Sequence, residues 1–177
     1  AYFQEWSAEN VELSFKLEAD RMQNLLIDDG EFAKEINVVL EERRLRTDDN
    51  PQALAIEAAS AAAFQTSPYR FPVIGWEADI KNMTGTDLRN WYSRWYGPNN
   101  ATVVVVGDVE PNAVLALAKI HFGPLAARDI APPKARPEVV QKGLKRVNFA
   151  SDKARNPYLV MGYKAPVLTM AKTGEGV

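Results

Sequence analysis

The sequence predicts an α+β fold, and three observations carry that expectation. Several stretches combine helix-forming composition with helix-start signals, of which Asn50-Pro51 and Thr84-Gly-Thr-Asp87 are the clearest. Ala101 to Val106 is a continuous, mostly β-branched run, the pattern of a strand buried on both faces. Two further strand candidates, about Leu144–Ala150 and Tyr158–Tyr163, follow a proline-rich stretch.

Taken in order, residues 8–27 carry two periodicities. Val11, Leu13, Phe15 and Leu17 alternate as in a strand, while Val11, Phe15, Ala19, Met22 and Leu26 repeat as in a helix. The length, with Ser7 as cap and Glu9 in the first turn, favours the helix. Asp28-Asp29-Gly30 is turn chemistry, and a second helix runs from about Glu31 to Arg46. Asn50-Pro51 caps a third, alanine-rich helix reaching about Phe64. Residues 66–75, with Pro68, Pro72 and Gly75, form a loop. Thr84 starts a helix to about Tyr96, which Gly97-Pro98-Asn99-Asn100 stops. After the β-branched run, Asp108–Pro111 turns into a last helix that ends near His121–Gly123.

Composition bounds the function. At 177 residues with 46% apolar and 25% charged residues, the chain can bury a core. A net charge of -2 without basic runs between aromatics gives no reason to expect nucleic acid. The apolar stretches are too short for a membrane span. Absence of cysteine excludes disulfides and thiolate metal sites without fixing a compartment, so cytoplasmic and periplasmic or secreted locations both stay open. Trp91, Tyr92, Trp95 and Tyr96 form two i,i+4 aromatic pairs, which are core packing by default.

The chemistry concentrates in residues 32–51. Glu35 and Glu42 lie seven apart, close to two helical turns, so their carboxylates share one side of the helix. They border an apolar face of Phe32, Ile36, Val39, Leu40 and the Arg43 stem, and are expected to be half-buried. A half-buried carboxylate needs a cation, a donor or a proton. A metal ion is one answer; an arginine is the other, and Glu42 to Arg46 is the favourable i,i+4 order.

The string Phe32-x-x-Glu35-x-x-Val38-Val39-x-x-Glu42-Arg43-x-x-Arg46, followed by Asn50-Pro51, resembles the third-ligand segment of the M16 zinc peptidases, the pitrilysin and insulinase group or inverzincins. The resemblance is collinear and covers nearly the whole chain. It extends through Ser67-Pro-Tyr-Arg-Phe-Pro-Val-Ile-Gly-Trp76, then Asp87-Leu-Arg-Asn-Trp-Tyr-Ser-Arg-Trp-Tyr-Gly-Pro-Asn-Asn100 into the run ending at Gly107-Asp108, and His121-Phe-Gly-Pro-Leu125. It implies helices packed on a mostly antiparallel sheet, the metallohydrolase fold of LuxS and the mitochondrial processing peptidases, here incomplete. It also implies that Glu42 binds zinc and that Glu35 is an accessory acid near the catalytic site. Glu41, about 100 degrees round the helix, does not match the ligand.

The family's other ligands and its general base come from a His-x-x-Glu-His helix, which this chain lacks. Its single histidine, His121, is not the counterpart of a ligand, and a catalytic zinc of this type needs three protein ligands. The chain is therefore expected to be an internal fragment of a zinc-dependent endopeptidase, inactive alone and without zinc of its own. Residues 1–126 would be the C-terminal half of a first peptidase domain, 127–141 a proline-rich linker, and 142–177 the first strands of the next domain. The implied partners are a peptide substrate added to a sheet edge and a second homologous half, in the same chain or another, possibly as a homodimer. The alternative is a non-catalytic subunit with a structural or assembly role, which keeps the fold without the histidine motif.

Overall fold

The structure, a computed structural model, describes residues 1–165. Six α-helices form among the described residues: α1 Val11–Asn24, α2 Asp29–Arg43, α3 Pro51–Ala63, α4 Glu77–Asn82, α5 Gly85–Trp95 and α6 Pro111–His121. Local signals account for most of their ends. Asp28 Oδ1 accepts from the N–H groups of Gly30 and Glu31 at 2.8 and 3.0 Å, satisfying donors that the start of α2 would otherwise leave orphaned. Asn50 does the same for Gln52 and Ala53 ahead of α3. Thr84 and Asp87 close a reciprocal capping box at the start of α5. α1 and α2 are shorter than expected. The first begins as a 3₁₀ turn, Ala8–Asn10, and α2 passes into a π-helical turn, Arg44–Asp48, whose closing bond runs from Asp49 N–H to the Arg44 carbonyl at 2.8 Å.

The chain divides into two compact units. The first comprises Ala1–Glu41 and Gly75–Ala135. Its core is Phe15, Ala19, Ile80 and Tyr92. α1 lies against α6, where Phe15 meets Phe122 edge to face with centroids 5.9 Å apart. Both expected aromatic pairs form, Trp91–Trp95 at 5.5 Å and Tyr92–Tyr96 at 4.9 Å, but Trp91 stays largely exposed while Tyr92 is buried and donates its hydroxyl to the Arg21 carbonyl. Arg89 on α5 anchors the start of α2 through Asp29 Oδ1 (2.8 Å) and the Ile27 carbonyl (3.1 Å). Gly75 precedes α4 at φ 93°, a left-handed conformation that glycine adopts without penalty.

The second unit comprises Glu42–Ile74 and the described residues from Arg136 onward. α3 contacts the π-helical turn and the short 3₁₀ helix Pro68–Arg70. The buried residues of this unit are polar, Arg43 and Ser67.

The expectation of an antiparallel sheet is overturned: no residue described is in a strand, and the described chain is helical with extended connections. Residues 101–106 start in extended conformation, with Ala101 at φ -121° and ψ 146°, but pair with no ladder. Far from being buried on both faces, Val104 and Val106 are 78% and 92% exposed. The candidates at 144–150 and 158–163 likewise form no strand, and Leu144, Leu159 and Tyr163 are open to solvent. The reason is physical. β-branched composition favours extended backbone, but a strand exists only where a neighbour supplies its hydrogen bonds, and no other described segment does so. The part of the expected 142–177 segment beyond residue 165 lies outside the described residues. No helix among the described residues is long and apolar enough to cross a membrane.

Candidate metal-ligand helix

Glu35 and Glu42 both lie on α2, as the spacing predicts. The apolar stripe also forms: Phe32, Ile36, Val39 and Leu40 are half-buried and Arg43 is buried. Of the two carboxylates expected to be half-buried, Glu42 is and Glu35 is not. Glu35, at the margin of the stripe, is exposed. Glu42 is half-buried and its Oε1 lies 2.6 Å from Nη1 of Arg46, the i,i+4 partner that spacing offered as the alternative to a metal. Glu42 keeps 41% of its side-chain surface accessible and Arg46 keeps 76%.

Beside Glu42 the second unit holds a polar anchor. Arg43 donates from Nη1 to Glu57 Oε2 at 3.0 Å and from Nη2 to Glu57 Oε1 at 2.9 Å, a fork-on-carboxylate geometry, with Asp48 Oδ1 3.3 Å from Nη2. The side chains of Arg43 and Glu57 retain 5% and 11% of their surface. Arg44 and Lys153 both pair with Asp49, at 2.5 and 2.7 Å, and the Lys153 contact leads in holding the Asp49 carboxyl below its ordinary range. Arg43, Arg44 and Arg46 each pair with an acid, Glu57, Asp49 and Glu42. Sequence reading passed over Glu57, although a signal existed: it is the one charged residue in Pro51–Ala63, and a lone charge on an apolar helix asks for a buried partner.

Glu42 alone cannot hold zinc. No group of three or more His, Cys, Asp or Glu residues among those described could hold a metal ion. His121 stands at the end of α6 with Nε2 3.4 Å from Glu12 Oε1. A single carboxylate does not satisfy zinc, which needs three protein ligands in a site of this type.

Comparison with known proteins fixes the family. Residues 82–172 match the family described as "Peptidase M16 inactive domain". The chain belongs to the M16 peptidase family. It is 35% identical over 167 residues to the zinc protease PqqE of Helicobacter pylori, a match that covers 93% of this chain and 38% of that protein. It is similar to the crystal structure of a protease from Helicobacter pylori, with TM-score 0.71, 37% identity, and coverage of 76% of this chain and 33% of that one. It is also 31% identical over 107 residues to cytochrome b-c1 complex subunit 1 of Rattus norvegicus mitochondria, covering 60% of this chain and 22% of that subunit. The chain thus spans little more than a third of the length of its zinc-protease relative.

Proposed function

We propose that this chain is part of a zinc-dependent endopeptidase and contributes one of the metal's ligands, Glu42, with Glu35 as an accessory acid nearby. The observation that carries the reading is the 35% identity to a zinc protease, sustained over 93% of the chain. The Glu42–Arg46 pair does not stand in its way. A pair this exposed is worth about 1 kcal/mol at most, so Arg46 can swing into solvent and free the carboxylate. Bound zinc in such a peptidase acts as a Lewis acid and activates water. This chain's share is to present Glu42 from a helix whose register the adjacent Arg43–Glu57 fork fixes, while the exposed Glu35 carboxylate adds negative charge alongside. The histidine ligands and the general base come from outside residues 1–177.

In this reading residues 1–126 complete a first peptidase domain, 127–141 link it onward and 142–177 open the next. A second homologous half and a peptide substrate are the partners. The test is peptide hydrolysis by the full-length protein, abolished by a chelator and restored by zinc, with the 177-residue chain inactive under the same conditions. Chelator-sensitive turnover by the 177-residue chain alone would overturn the division of labour.

A second reading is a non-catalytic subunit with an assembly role. It is favoured by the similarity to a subunit of the cytochrome b-c1 complex and by the matched family's description as an inactive domain. The residues encoded ahead of Ala1 discriminate: a His-x-x-Glu-His helix there favours the peptidase, and its absence favours the subunit.

A further inference from the structure

Outside the helix that carries Glu42, the densest convergence of donors on one group lies in the second unit, where the loop after α3 meets the end of the proline-rich stretch. The N–H groups of Gln65, Thr66 and Ser67 all point at the carboxylate of Glu138. Gln65 N–H reaches Oε1 at 2.9 Å and Oε2 at 3.1 Å, Thr66 N–H reaches Oε2 at 3.0 Å, and Ser67 N–H reaches Oε2 at 2.8 Å. The Thr66 hydroxyl donates to the Pro137 carbonyl at 2.7 Å and lies 3.3 Å from Glu138 Oε2. Lys164 Nζ closes the ring 3.1 Å from Oε1, and its ammonium also sits 5.0 Å from the Phe64 ring centroid. Glu138 keeps only 17% of its side-chain surface. Consecutive N–H groups in a turn, backed by one cation, make a concave anion receptor of the kind proteins use for carboxylates and phosphates.

We propose that Gln65–Ser67, with Lys164, form a carboxylate-binding site whose occupant is the chain's own Glu138, so that the proline-rich stretch is latched rather than free. The chain returns to this unit at Arg136, two residues before the latch. Pro137 restricts the backbone there and so lowers the entropic cost of presenting Glu138. The sequence alone reads 127–141 as an exposed linker; the receptor converts its end into a fixed point. The hydrogen bonds, led by Ser67 and then Gln65, hold the Glu138 carboxyl well below the ordinary carboxylate range, as expected for an anion in a receptor built for it.

Amide hydrogen exchange in the full chain tests this with Glu138→Gln, which keeps the size and removes the charge, and with Glu138→Ala, which empties the site. Glu138→Gln should speed exchange at Gln65, Thr66 and Ser67 by about tenfold or more and leave Ala58 and Ala59 in the middle of α3 unchanged. In Glu138→Ala, added acetate should restore protection at the same three amides, because a free carboxylate fills the vacated receptor. Unchanged exchange in Glu138→Gln would overturn the latch. So would acceleration that spreads through α3, which marks general unfolding, or a failure of acetate to protect the emptied site.

Discussion

Arg43 grips Glu57 with both terminal nitrogens, at 3.0 and 2.9 Å, in a setting that leaves the two side chains 5% and 11% of their surface. The contact ties the last residue of α2, one past Glu42, to α3 within the second unit. It also makes the second unit dependent on a charge pair where the first unit depends on Phe15, Ile80 and Tyr92. Breaking a buried pair by removing one partner strands the other charge in a poorly solvated place. Glu57→Ala should therefore cost about 3 kcal/mol, measured by urea denaturation. Arg43→Met combined with Glu57→Leu should recover most of that loss, because no charge is then left buried. A double variant as unstable as Glu57→Ala would contradict the account.

The two side-chain caps should be worth less and should act separately. Thr84→Ala removes the hydroxyl half of the capping box at α5, the oxygen that accepts from Asp87 N–H, and Asn50→Ala removes the oxygen that holds the first N–H groups of α3. Each should lower stability by about 1 kcal/mol, read as a drop in denaturation midpoint. Lying far apart in sequence and in different compact units, they should add within error in the double variant.

The Glu138 latch gives stability a definite pH dependence. Its folded-state pKa is depressed below the ordinary carboxylate range by the backbone N–H groups of Ser67 and Gln65. A depressed carboxylate contributes its stabilisation in full above the unfolded value and loses it as pH falls toward the folded one. Stability of the wild-type chain relative to Glu138→Gln should therefore be constant from pH 7 down to about 5 and shrink below that. Denaturation midpoints of the two proteins from pH 7 to 3 check this; a difference that grows on acidification would have the wrong sign.

Helices were legible in the sequence because their signals are local. Asn50-Pro51 and Thr84-Gly-Thr-Asp87 carry their own caps, and both helices begin where those residues place them. Strands were not legible in the same sense. Ala101–Val106 has the composition of a buried strand, but its partners are nonlocal, and without a described neighbour the segment stays extended and exposed. The same contrast holds for the candidate site. Spacing placed Glu35 and Glu42 on one helix, and the Arg46 alternative was visible as an i,i+4 pair. The half-burial expected of both acids holds at Glu42 and fails at Glu35, because burial depends on nonlocal neighbours that spacing does not reveal. Glu57 and Glu138 are not legible as paired groups, because Arg43 lies 14 residues from the first and the three N–H groups that hold the second lie more than 70 away.

Zinc content tests the central claim most directly. Glu41 and Glu42 are adjacent acids on α2 that differ in facing by about 100 degrees, so they share composition and helix propensity but not geometry. In the full-length protein, Glu42→Gln should lose most of its bound zinc after dialysis, measured by atomic absorption, while Glu41→Gln should retain the wild-type amount. Equal zinc in the two variants would remove Glu42 from the metal's ligands.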